Sequence, residues 1–208
     1  TFNKPESVGD QIDRITASKI RTIDLGKLTS INRTGKEETR YFGNIASFGL
    51  SGEVDRAVNR LTFGKRLGGV AAFKLGVLKA LLRYRNKRVR ICVDDVFDEE
   101  VNVSTAAVCN GQYFGSGMHI APTALPDDGL CDVVVVKDIG PLTLLWNVNS
   151  IYKGEHLGKD EVIVVRGKKV TATPVDDGVE VLLDVDGEAP GRLPATFEIL
   201  PAAIQFRS

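Results

Sequence analysis

From Arg88 onward the chain is cut into short apolar stretches, and that rhythm restricts the fold more than any other feature. Arg88–Val93 alternates apolar and polar residues, Val101–Asn110 reads V-N-V-S-T-A-A-V-C-N, and Cys131–Val136 is mostly valine. Val162–Val165, Lys169–Thr173, Val179–Val185, Ala195–Leu200 and Ala203–Phe206 follow, separated by Gly, Pro, Asp and Asn. Strands recurring at roughly ten-residue spacing with turn residues between them indicate a sandwich or barrel. The expected class is α+β, mainly β: a two-layer antiparallel β-sandwich-like domain with two or three peripheral helices.

The helices belong to the first half. A short one is expected within Gln11–Ile15, followed by a strand over Lys19–Leu28, a hairpin connection over Ser30–Glu38 with Gly35 at its tip, and a returning strand within Thr39–Leu50. Gly52–Leu61 places Val54, Ala57, Val58 and Leu61 at helical spacing, with Glu53 and Asp55 in the first turn. Gly69–Tyr84 places Val70, Phe73, Val77, Leu78, Leu81 and Leu82 on one face, and Thr143–Tyr152 suits a third helix.

A chain of 208 residues can bury a core without disulfides. Cys92, Cys109 and Cys131 are widely spaced, lie in strand-like stretches and lack the CxxC spacing of a zinc site. They read as reduced thiols, which fits a reducing compartment, and a cytoplasmic location is expected. The 27 basic residues equal the 27 acidic ones, so no global field favours nucleic acid. No apolar run approaches the ~20 residues that span a bilayer, and the N-terminus lacks a signal-peptide profile. It also lacks an initiator Met, so the chain reads as a piece of a longer protein. A homodimer is compatible with all of this.

Three segments have chemical potential. N110-G-Q-Y-F-G-S-G-M-H-I-A-P-T-A124 holds three glycines in a short span. It is either a plain inter-strand loop or a ligand-facing one, but it does not match G-x-G-x-x-G. L125-P-D-D-G-L-C-D132 has strong turn chemistry around Asp127-Asp128-Gly129, and its acids and free carbonyls would also suit a hard cation. V181-L-L-D-V-D-G-E188 ends a strand with Asp184, Asp186 and Glu188 at alternate positions. In an extended strand Asp184 and Asp186 would share a face, either toward solvent or toward a cation or shared proton that relieves their repulsion. His119 and His156 are too few to build a histidine metal site or a serine triad.

In order, I23-D-L-G-K27, Y41-F-G-N-I-A-S-F-G-L-S-G-E-V54, V108-C-N-G-Q-Y-F-G-S-G-M-H-I-A-P122, A124-L-P-D-D-G-L-C-D-V-V-V135, D186-G-E188 and E198-I-L-P-A-A-I-Q-F206 resemble one known pattern. The chain is similar over nearly its whole length to the C-terminal part of the diacylglycerol-kinase catalytic family, the soluble lipid kinases that include bacterial diacylglycerol kinases and sphingosine kinases.

The resemblance implies two domains: a nucleotide domain related to that of NAD kinases, with a G-G-D-G-T motif for ATP phosphates, and a β-rich C-terminal domain. This sequence has no G-G-D-G-T. T1-F-N-K4 falls where the family's interdomain G-T-G-N-D-like stretch ends, with Lys4 where many members have Asp. Residues 1–208 are therefore expected to be the lipid-substrate side of an ATP- and Mg²⁺-dependent kinase, inactive without its ATP-binding domain. By the same resemblance Asp186 would be the general base on the lipid hydroxyl. Glu188 would help hold the catalytic Mg²⁺ with its ATP phosphates, or itself be the base. Asp128 would bind a structural Mg²⁺ with the backbone carbonyls of Leu125 and Leu130. The partner would be a lipid such as diacylglycerol, met at the membrane surface by a peripheral protein, with Phe48, Leu50 and Phe114 as candidates for an acyl slot. Lys79, Arg83, Arg85, Lys87 and Arg88 would face anionic lipid or, more simply, form a solvated basic helix end. The alternatives are an NAD kinase-like phosphotransferase on a soluble substrate and a non-catalytic lipid-binding or regulatory module.

Overall fold

The structure is a computed structural model that describes residues 7–62, 83–115, 117–140, 143 and 147–207. Thr1–Lys4 and all but the last residues of the expected Gly69–Tyr84 helix lie outside the described residues. The chain runs α1 (Val8–Ala17), β1 (Ile20–Asn32), β2 (Glu37–Phe42), β3 (Ile45–Gly49), α2 (Leu50–Thr62), β4 (Lys87–Val93), β5 (Phe97–Cys109) and β6 (Tyr113–Phe114). It continues with β7 (Met118–His119), β8 (Cys131–Lys137), α3 (Val148–Lys153), β9 (Val162–Gly167), β10 (Lys169–Pro174), β11 (Leu183–Val185) and β12 (Gly191–Arg207).

Ten strands form one antiparallel sheet in the order β11-β3-β5-β4-β10-β12-β1-β2, with β8 attached to β5 and β9 to β8; β6 and β7 make a separate hairpin. β5 is the hinge of this arrangement. Its first half pairs with β4, and its second half lies between β3 and β8. Residues from both arms, including Leu28, Phe42, Phe48, Ile91, Val103, Val133, Leu183 and Phe197, enclose the main core. The expected mainly-β, sandwich-like class with peripheral helices is what the chain adopts.

β8 shows how sequence sets position. Cys131, Val133 and Val135 enter the main core, while Val134 joins Ile45, Ala107, Cys109, Ile120, Ala121, Ala124 and Ile151 on the opposite side. A strand covered on both faces has no polar alternation, which accounts for the unbroken C-D-V-V-V-V beginning. The cover on that second face is the glycine-rich segment together with α3.

The β-strand boundaries refine the expectation in three places. The returning strand over Thr39–Leu50 is divided into β2 and β3 at Gly43-Asn44. Ala195–Leu200 and Ala203–Phe206 belong to one strand, β12, which contains a positive φ of 52° at Ala202. Only Leu183–Val185 of Val179–Val185 is strand. In the expected Thr143–Tyr152 helix, α3 covers Val148–Lys153 and closes on Gly154 in the left-handed conformation.

Gly26, in the middle of β1, has a packing reason. It pairs with Phe42, whose ring lies so close that a Cβ at position 26 would meet it at 2.1 Å. The aromatic ring covers the bare backbone of its cross-strand glycine.

Candidate functional site

The acidic stretch forms a tight turn. Val185 and Glu188 exchange backbone hydrogen bonds of 2.8 and 2.9 Å around Asp186 (φ 49°) and Gly187 (φ 87°). Positive φ at both central residues is the signature of a type I′ hairpin, for which Asp-Gly is a preferred pair. Asp186 is therefore a turn residue and does not continue the strand face of Asp184, contrary to the simple alternation.

Each acid has a different environment. Asp186 turns its carboxylate onto the break between β2 and β3: Gly43 N–H donates at 2.9 Å, Ile45 N–H at 2.9 Å and Asn44 N–H at 3.5 Å. The Asp186 N–H donates in return to the Ile45 carbonyl at 3.0 Å. Asp184, paired with buried Ser47, accepts from its hydroxyl at 3.3 Å and from Gly187 N–H at 2.9 Å. Burial raises its pKa above the ordinary carboxylate value, against the opposing effect of those two hydrogen bonds. Glu188 is the open one: its side chain is 75% exposed, and Oε2 pairs with Arg40 Nη1 at 3.0 Å.

The β1–β2 hairpin braces this turn. Arg40 Nε also binds Glu38 at 2.8 Å, and Glu38 accepts from Asn32 Nδ2 at 3.1 Å. Arg33 donates twice to the Ala189 carbonyl, at 3.1 and 2.6 Å. The Asn32 hydrogen bond and then Arg40 hold the Glu38 pKa below the ordinary value. Sequence reading assigned no role to Asn32, Arg33 or Arg40; Arg33 and Arg40 reach Ala189 and Glu188 about 150 residues away in the chain, beyond any local pattern.

The glycine-rich segment is fastened to the same place. The Asn44 carbonyl accepts from the N–H groups of Asn110 and Gly111, both at 2.9 Å, and Asn44 Nδ2 donates to the Tyr113 carbonyl at 2.8 Å. Fully buried Asn110 donates to the carbonyls of Asp24 and Gly43, at 3.0 and 2.9 Å. Tyr113 stacks on His119 with ring centroids 4.3 Å apart. Phe48 and Leu50, expected near an acyl slot, are core residues; Phe48 is fully buried and stacks on Phe197 at 6.2 Å. Phe114 is partly buried against the cluster beneath the loop.

The Pro126–Gly129 turn is held from below by Asp24, which sequence reading quoted only as part of a motif. At a β1 bulge, this carboxylate is 2% exposed and accepts from Gly129 N–H at 2.6 Å and Ala202 N–H at 2.7 Å. The Asp24 N–H donates to the Pro126 carbonyl at 2.7 Å. Asp128 Oδ1 accepts from Leu130 N–H at 3.0 Å, and Oδ2 pairs with Arg166. Leu125 is half exposed. Among the described residues, no three His, Cys, Asp or Glu side chains group as metal ligands. A cation at Leu125, Asp128 and Leu130 would have to share its one carboxylate with a guanidinium, so as arranged these residues do not fit a Mg²⁺ site. Glu188 does fit a shared metal: it is exposed, and its Oε1 takes no hydrogen bond from the described residues.

Comparison with known proteins connects this geometry to a family. The model of the YegS C-terminal NAD kinase beta sandwich-like domain matches residues 44–207. A diacylglycerol kinase of Mycobacterium tuberculosis is 30% identical over 184 residues, covering 88% of this chain and 56% of that protein. A diacylglycerol kinase of Staphylococcus carnosus is 27% identical over 195 residues, covering 93% of this chain and 58% of that protein. The chain thus spans little more than half the length of these curated relatives. Among solved structures, a diacylglycerol kinase from Bacillus anthracis str. Sterne superposes with a TM-score of 0.56 at 18% identity, covering 97% of this chain and 58% of that one. At that identity the likeness is one of fold.

Proposed function

We propose, from the premise that the chain belongs to the YegS C-terminal domain family, that it is the acceptor side of a lipid kinase that uses ATP and Mg²⁺ to phosphorylate a lipid hydroxyl. The observation that carries this reading is the division of labour within D186-G-E188. Asp186 is committed to backbone donors of the β2–β3 break, whereas Glu188 projects outward with one oxygen unpartnered among the described residues.

Phosphoryl transfer needs positioning and charge neutralisation more than covalent chemistry. In this reading Glu188 accepts the hydroxyl proton or shares the Mg²⁺ that travels with the nucleotide. Mg²⁺, when bound, would neutralise charge developing on the transferred phosphoryl group. Asp186 sets the turn from which Glu188 projects, and Arg40 fixes the carboxylate's direction. The ATP phosphates would be bound mainly by a separate nucleotide domain. Diacylglycerol is the acceptor class named for the relatives, and it favours a lipid over NAD. Action on such an acceptor implies peripheral contact with a membrane; no described helix is long and apolar enough to cross one.

The test joins this domain to its nucleotide domain and supplies labelled ATP with diacylglycerol, sphingosine or NAD. Glu188→Gln should reduce lipid phosphorylation by on the order of 10²–10⁴ fold, the usual contribution of a positioned acid–base group. Phosphorylated NAD without lipid product would refute the acceptor class, and a near-normal rate for Glu188→Gln would refute its role.

A further inference from the structure

The turn after Ala124 concentrates negative charge. Asp24 lies beneath it, Asp127 and Asp128 stand on it, and Asp132 follows at 1% exposure. A carboxylate as deeply buried as Asp132 is costly unless paired and hydrogen-bonded. Such a cluster ordinarily requires a cation, and a divalent metal held by oxygen ligands is one physical solution.

We infer that Arg166 supplies this cation from within the chain, so that the turn is built without a bound metal. Asp132 on β8 and Arg166 on β9 are direct cross-strand partners, so sheet register itself delivers the guanidinium to the acids. Arg166 Nε donates to Asp132 Oδ1 at 2.7 Å, and Nη2 pairs with Asp128 Oδ2. Thr123 Oγ1 donates to the second oxygen of Asp132, and Leu130 N–H to the second oxygen of Asp128. Every carboxylate oxygen in this pair therefore has a donor. The planar guanidinium can bridge two carboxylates through differently directed N–H groups, which a lysine ammonium on a flexible stem does less well. Its hydrogen bonds to Asp132 and then Asp128 raise the already high Arg166 pKa, so the cation is permanent at any pH the fold tolerates.

This inference does not depend on the reaction proposed above, and its test uses the chain alone. Thermal unfolding is followed after treatment with a chelator, then in millimolar MgCl₂ and in NaCl of equal ionic strength. The wild-type Tm should be the same in all three. Arg166→Met should lower it by on the order of 10 °C by uncovering a buried charge, and Arg166→Lys should fall between the two. The inference is overturned if Mg²⁺ raises the wild-type Tm by several degrees over the NaCl control and Asp128→Ala abolishes that rise. It is equally overturned if Arg166→Lys and Arg166→Met both unfold at the wild-type temperature. Should Arg166→Met not fold, the wild-type titration and Arg166→Lys still decide.

Discussion

Replacing Asp186 by Asn separates the structural work of that carboxylate from any chemical work. Both residues tolerate positive φ, so the turn backbone is retained. The carboxylate accepts two N–H bonds of 2.9 Å and a third at 3.5 Å. Asparagine keeps one acceptor oxygen and points an NH₂ at the other donor. A hydrogen bond to a charged group contributes about 1.5–3 kcal/mol. Asp186 is exposed, and water can re-solvate the released N–H, so we expect a loss of about 1–2 kcal/mol. For a chain of this size that corresponds to a Tm lower by roughly 2–8 °C. Asp186→Gly, which keeps the positive φ and removes both strong acceptor contacts, should lose about twice as much in the same circular-dichroism melt. If Asp186→Asn melts with the wild type and Asp186→Gly is no worse, the carboxylate does not hold the β2–β3 break.

Other outcomes follow from neighbouring residues. Because burial raises the Asp184 pKa, the folded state binds that proton more tightly than the unfolded one; the resulting stability is complete below the ordinary carboxylate pKa and is lost as pH rises through the raised value. Asp184→Asn should therefore leave Tm at neutral pH equal or higher and flatten this part of a calorimetric pH series; a lower neutral Tm with an unchanged acid limb would contradict it. Phe48→Ala empties a fully buried site stacked on Phe197 and should cost about 3–5 kcal/mol in a denaturant titration, with a loss below ~1 kcal/mol counting against the packing described. Gly26→Ala drives a methyl group into the Phe42 ring and should cost about 1–3 kcal/mol, measured the same way; Gly26→Ala combined with Phe42→Leu should recover part of that loss.

The strands were legible because they are dictated locally. The valine run of β8 and the alternation of β4 announce burial through composition and period alone. The D-G-E turn was present in the sequence as an Asp-Gly pair, the strongest short hairpin signal. It reads as a strand end because the ladder around it is sparse: Val185–Glu188 and Leu182–Arg192 are isolated bridges, and β12, which follows at Gly191, pairs along its length with β1. Asp24 and Arg166 were not legible in their roles. Asp24 meets donors 105 and 178 residues away, and Arg166 meets Asp128 only through β8–β9 register. A charged residue in an apolar stretch advertises that it needs a partner, but only the folded sheet identifies that partner. The sequence drew attention to Asp186 and Glu188 together, while their separation into an anchored and a projecting acid required the positive φ values of the turn.

The pairing of β1 with β12, from Ile20 opposite Arg207 to Asn32 opposite Gly191, carries a consequence for synthesis. β12 lies between β1 and β10, so both neighbours wait with an unpaired edge until the last strand has left the ribosome. Ordering the first strand of the sheet against one made so much later closes a long loop before any contact repays it, which slows folding. During translation β1 and β10 are open templates for mispairing, and a nascent chain that stalls before Gly191 would be the form most in need of a chaperone.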